Sequence, residues 1–173
     1  LEKISRLIID DENFDKNMAH ICILNCYVKR RSNLALLGDR KSELSSEELY
    51  LSVKESSEYI KLHGGVSDVI AVNHASLSAD VILFCFDLWQ SIVEAILPDE
   101  CILTAKMSFK DEYFIFRITA ETEKSFSCIK KFYDEAEIFG AVINIHTSKI
   151  HTSDNTGTVG YGSSLHIGVS KAV

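Results

Sequence analysis

The run from Ser78 to Thr119 constrains this chain more than any other stretch. Val81, Phe84, Cys85, Leu88, Ile92 and Ile96 recur at three- and four-residue spacing, and Ile82, Phe86, Trp89 and Val93 form a second apolar stripe beside them. The spacing predicts a helix over 78–97, and a helix apolar on two flanks must be buried on most sides. Ser78 is its expected N-cap, and Asp80 places a carboxylate at the positive end of the helix dipole. Pro98 stops it, because proline disfavours helical geometry at the residue before it. Cys101, Leu103, Ala105, Met107 and Phe109 then alternate with Ile102, Thr104, Lys106 and Ser108, the pattern of a half-buried strand. Lys110-Asp111-Glu112 is a charged turn, and 113–119 reads as a second strand, rich in aromatic and β-branched residues. Trp89 is expected to face the sheet and to meet Phe114 and Phe116 there.

The chain of 173 residues fits one domain, or one domain with a helical appendage. Its formal net charge of −7 argues against a general nucleic-acid or anionic-membrane surface. No charge-free apolar run reaches about 18 residues, so no membrane span or direct membrane contact is expected. No signal peptide is expected either. The first residue is Leu1 rather than Met, which suggests a fragment or a processed chain. The five cysteines sit mostly in apolar periodic segments and read as reduced, buried thiols of a cytoplasmic protein.

Upstream, 14–37 contains neither Gly nor Pro. Ile21, Leu24, Val28, Leu34 and Leu37 approximate one face, widened by Met18, Cys22, Cys26 and Leu36. This predicts a helix of about six turns, ended by Gly38-Asp39. Lys29, Arg30 and Arg31 read as its solvated flank. A polar loop over 39–44 leads to a capping box, Ser45 with Glu48, and a helix to Leu62 with Leu49, Val53, Ser56 and Ile60 on one face. His63-Gly64-Gly65 ends it, and 68–72 is a short strand. Phe126, Ile129, Phe132, Ala136 and Phe139 mark an amphipathic helix over 125–139, with Gly140 as its cap. Strands over 141–147 and 158–169 close the chain around a polar loop. The order suggests an α+β, two-layer sandwich: a mixed sheet with about three helices on one face. The expected division is a helical segment over 1–44 and a sandwich over 45–173. The first helix is expected to dock outside the sandwich and to pair chains, because its apolar stripe would otherwise be exposed.

That order resembles the C-terminal catalytic domain of bacterial sensor histidine kinases, the GHKL-type ATPase fold. Gly140 to Ser148, then Gly157-Thr158 and a final apolar strand, is similar to the family's closing hairpin. The helix over 78–97 resembles the one that carries the family's N-box. Tyr27 to Leu34 resembles the second helix of the dimerisation and phosphotransfer bundle. The resemblance covers roughly 14–173 and implies a homodimer working with a response-regulator-like protein.

The sequence departs from the family at its nucleotide boxes. Where active members carry a Glu and, four residues on, an Mg²⁺-binding Asn, this chain has Gln90 and Glu94. Where the adenine-reading Asp-x-Gly-x-Gly should follow the second hairpin strand, it reads Ala120-Glu121-Thr122-Glu123, with Glu121 the only stand-in. Few residues remain there for a lid over ATP. Gly160-Tyr161-Gly162 resembles a phosphate-cradling loop, although a bulge or strand irregularity is the expected reading. No histidine stands in the family's phosphoacceptor context, so that helix would lie upstream of Leu1.

Two metal candidates are set aside. On a helix His20 points away from the face shared by Cys22 and Cys26, and His146, His151 and His166 read as exposed hairpin positions. Two functional readings follow. One is a histidine-kinase-like signalling domain with a degenerate nucleotide site, no catalysis of its own and no cofactor. The alternative is an active kinase domain that binds ATP and Mg²⁺ through non-standard residues, with Glu94 on the metal.

Overall fold

A computed structural model describes residues 14–97, 102–110, 112–121, 129–150 and 160–170. Its elements, in order, are α1 (Phe14–Arg40), β1 (Glu43–Ser45), α2 (Ser46–Leu62), β2 (Val66–Ala71), β3 (Ser76–Ser78), α3 (Ala79–Ile96), β4 (Ile102–Lys110), β5 (Tyr113–Glu121), α4 (Phe132–Ile138), β6 (Ala141–Ile150) and β7 (Gly160–Ser170). Five strands form one mixed sheet in the order β2-β4-β5-β7-β6. β2 and β4 are parallel, as their connection through α3 allows, and the remaining pairs are antiparallel. β1 and β3 form a separate antiparallel ribbon.

Alternation decides which face of the sheet is covered. Leu103, Ala105 and Met107 on β4 pair with Ala120, Ile118 and Phe116 on β5, and all six are buried. Ile102, Lys106, Arg117 and Glu121 project from the opposite face and are exposed. The helices therefore cover one side only, which is the two-layer α+β sandwich expected.

α3 is the spine of the core. Ile82, Cys85, Phe86, Leu88, Trp89, Ile92 and Val93 are all fully buried. Ser78 caps it by accepting a hydrogen bond from the Val81 amide at 3.3 Å. Trp89 shares one buried core cluster with Phe114 and Phe116. Its indole N–H donates to Ser56 Oγ on α2 at 3.0 Å, so the polar edge is turned to the neighbouring helix rather than to the hairpin. A buried indole N–H needs an acceptor. The covered faces of β4 and β5 present only Leu, Ala, Met, Phe and Ile side chains, whereas α2 presents serines. Ser57 on the same helix donates to Ser67 Oγ of β2 at 2.8 Å, and Ser46 Oγ accepts from the Ala75 amide at 3.0 Å.

Further local differences have physical causes. α1 continues through Gly38 to Arg40. A Cβ at Gly38 would lie 2.8 Å from the Ala79 Cβ, so this glycine permits the close approach of α1 to the start of α3 and does not end the helix. Ser45 caps α2 through the Glu47 amide at 3.2 Å, one residue earlier than a capping box requires. β1 overlaps the segment expected as a polar loop over 39–44, and β3 runs up to Ser78, the expected N-cap. Each is three residues long with one buried residue, Leu44 or Leu77, too short for any period to show. Of the helix expected over 125–139, α4 occupies Phe132–Ile138, and 125–128 lie outside the described residues. β6 extends to Ile150, where a loop was expected from Ser148.

Candidate functional site

The polar edge of α3 carries Asp87, Gln90, Ser91 and Glu94, spaced three and four residues apart on one otherwise apolar helix. They border an open cavity of about 570 Å³, lined also by Tyr27 of α1 and by Lys131, Phe132 and Glu135 at the start of α4. Gln90 is only 3% exposed. Its Nε2 donates to Glu94 Oε1 at 3.0 Å, so the two expected site residues are joined to each other. Gln90 Oε1 is buried with no hydrogen-bond partner among the described residues.

Asp87 joins this site to α1. It accepts from the Tyr27 hydroxyl at 2.8 Å and from Arg31 through Nε at 2.9 Å and Nη2 at 3.0 Å. The Tyr27 ring packs on Phe86 with centroids 5.6 Å apart. Burial and the bond to Asp87 push the Tyr27 hydroxyl up to about 12. The hydrogen bonds that Arg31 donates to Asp87 hold its guanidinium above its ordinary value. Beside it, Glu55 of α2 accepts from Lys29 Nζ at 2.9 Å and from Arg30. Burial alone would raise the Glu55 carboxyl, but these two hydrogen bonds hold it below its usual range. Lys29 and Arg31 are exposed, as a solvated flank requires, and the basic trio also forms two ion-pair clusters that tie α1 to α2 and α3.

Three described cysteines are free thiols, and Cys26 and Cys85 are buried as expected. Burial, then the nearby Glu55, pushes the Cys26 thiol up to about 12, and burial raises Cys85 as well. For these groups and Tyr27 the folded state favours the neutral form. Their contribution to stability is full below the unfolded values near 9 and 10 and is lost as pH rises toward about 12. The urea midpoint is therefore expected to fall between pH 9 and about 12. An unchanged midpoint across that window would show that these groups ionise freely in the folded state.

The remaining expected positions lie apart from the cavity. Glu121 ends β5, exposed, opposite Ile102 on one side and Gly162 on the other. Gly160 and Gly162 belong to β7, opposite Ile150 and Ser148. The ladder there runs without a skipped residue, so the segment is neither a phosphate-cradling loop nor a bulge. His166 stands opposite Arg117 and Asn144, and His146 opposite Ser164, while His151 lies outside the described residues. Among the described residues no three His, Cys, Asp or Glu side chains are grouped to hold a metal ion. No helix among them is long and apolar enough to cross a membrane. Tyr27, Asp87, Lys131 and Glu135 were not singled out from sequence. The available signal was Asp87 itself, a carboxylate inside a helix otherwise buried, which requires a partner.

No protein-family model matches the sequence, and no curated protein is significantly similar to it. Solved structures do match. The catalytic domain of the histidine kinase ThkA aligns over 75% of this chain and 94% of its own, with a TM-score of 0.53 and 11% identity. The histidine kinase domain of the Erythrobacter litoralis EL346 blue-light activated histidine kinase aligns over 97% and 91%, with a TM-score of 0.53 and 12% identity. Acinetobacter baumannii histidine kinase AdeS aligns over 95% and 86%, with a TM-score of 0.52 and 10% identity. With one helix-covered mixed sheet, a buried central helix and a helix preceding the sandwich, the chain has the fold of the histidine kinase catalytic (ATPase) domain.

Proposed function

We propose that this chain is a histidine-kinase-like module of two-component signalling that acts by self-association and protein contact in the cytoplasm, with a nucleotide site that no longer takes ATP and Mg²⁺. The observation that carries this reading is the Gln90–Glu94 pair. The two residues in the N-box positions are hydrogen-bonded to each other beside a cavity that also presents Asp87 and Glu135, with the ammonium of Lys131. A triphosphate would bring more negative charge to three carboxylates. The strand that should lead to the adenine-reading glycines ends at Glu121 and is followed by Thr122-Glu123. The residues present do not fit the nucleotide, and no catalytic step is derived through it. The alternative, an active kinase with Glu94 as an oxygen ligand for Mg²⁺, predicts incorporation or hydrolysis of labelled ATP. The degenerate reading predicts neither above background.

The contact half of the reading rests on α1. Its buried positions face α2 and α3, while Phe14, Met18, Val28 and Leu36 remain exposed along the helix. Such a stripe fits a second copy of the chain. Light scattering is expected to give a dimer mass for the intact protein and a monomer mass for Val28→Glu. A monomeric intact protein would remove the dimer role. A response-regulator-like protein is the partner that the fold suggests for the assembled module.

A further inference from the structure

We infer that the open face of the sheet takes α4 of a second copy of this chain, so that copies join head to tail. The inference goes beyond the α1 pairing above and does not depend on it. On the sheet face turned away from the helices, Val66 and Ile70 of β2, Ile102 of β4, Tyr113 of β5 and Val142 of β6 are all exposed. Apolar side chains spread over four strands of one uncovered face mark a contact surface. The centre of that face is basic. Lys106 and Arg117 stand directly opposite each other, with Val66 and Ile102 toward one end of the strands and Tyr113 toward the other. Like charges directly opposite repel, and a carboxylate laid over them relieves that repulsion.

α4 carries the complementary pattern. Phe132 and Ala136 bury one side of it, with the Phe132 ring 5.7 Å from that of Phe84 on α3. The other side presents Tyr133, Asp134, Glu137 and Ile138, all exposed and at helical spacing. Around the helix the two carboxylates lie between the two apolar side chains, as the two cations lie between apolar residues on the sheet. Ile138 is 78% exposed, more than any other large apolar residue described. Among the described residues no ion pair engages Asp134, Glu137 or Lys106. α4 belongs to the helix layer and the basic face lies on the far side of the sheet, so one copy cannot bring its own two surfaces together. The contact is therefore heterologous and continues from copy to copy. A helix of seven residues is about 10 Å long and spans about two strands. The contact is small, and the association is weak and driven by concentration.

Sedimentation velocity on Val28→Glu, which removes the α1 pairing, tests this. At low salt its mass is expected to rise from the monomer value as protein concentration is raised. High salt should return it to the monomer, because the charges are screened. Lys106→Glu or Glu137→Lys alone is expected to weaken the association about tenfold, and the double reversal to restore it. Restoration distinguishes a lost contact from a misfolded chain. A monomer at every concentration in low salt would overturn the inference, as would association that both single reversals leave unchanged or that the double reversal fails to restore. Association lost in Lys106→Glu but intact in Glu137→Lys would also overturn it, by giving the open face a different occupant.

Discussion

Trp89→Ala is expected to leave this protein largely unfolded at physiological temperature. Trp89 has no exposed surface and lies on a helix whose neighbouring positions are equally buried. Truncating a buried Trp costs about 3–5 kcal/mol. The change also strands the Ser56 hydroxyl, which now accepts the indole N–H, at about 1 kcal/mol more. Domains of this size have total stabilities of about 5–15 kcal/mol. Trp89→Phe separates the two contributions, because it keeps most of the bulk and removes only the donor. Thermal melts by circular dichroism should place Trp89→Phe between the parent and Trp89→Ala. A Trp89→Ala melt within a few degrees of the parent would mean that α3 is not the spine of the core. Glu94→Ala is the comparison on the same helix. Glu94 is half-buried and bonded to Gln90, so its loss should cost about 1 kcal/mol. A larger loss than that of Trp89→Ala would reverse the assignment of buried and polar faces.

Asp87→Ala is expected to have the next largest effect and to act on the docking of α1. It removes the acceptor of both Tyr27 and Arg31. Hydrogen bonds to a charged group contribute about 1.5–3 kcal/mol. The Arg31 side chain is 46% exposed, so solvent screens its share. A net loss of about 2 kcal/mol is the expected result in urea denaturation. Hydrogen exchange should report it as faster exchange in α1 with the sheet unchanged. Uniformly faster exchange throughout would show that α1 is no separable layer.

Most of the architecture was legible because its long elements bury whole faces. The 3.6-residue spacing of α3 and the alternation of β4 and β5 are both driven by the covered side of one sheet. The resemblance to histidine kinases was carried by the closing hairpin from Gly140 and by the helix over 78–97, and the structural matches are to that fold. What the sequence concealed was which polar groups meet. Lys29, Arg30 and Arg31 look like any solvated helix flank until α2 and α3 bring Glu55 and Asp87 beneath them. Gly38 has the composition of a helix stop, and only the position of Ala79 shows it to be a close approach. β1 and β3 are fixed by tertiary pairing around single leucines. At the candidate site, Gln90 and Glu94 could be placed on one edge of a helix from spacing alone. That they bond to each other, with Tyr27, Lys131 and Glu135 around them, depends on elements distant in sequence.

The melting temperature of the intact chain tests most directly the proposal that ATP with Mg²⁺ has no site here. A ligand at 100 times its dissociation constant adds about 2.7 kcal/mol of stability, a shift of several degrees. Millimolar ATP with Mg²⁺ is expected to leave the melting temperature unchanged. A rise of several degrees that vanishes in Glu94→Ala would contradict the account and place a working nucleotide site on α3.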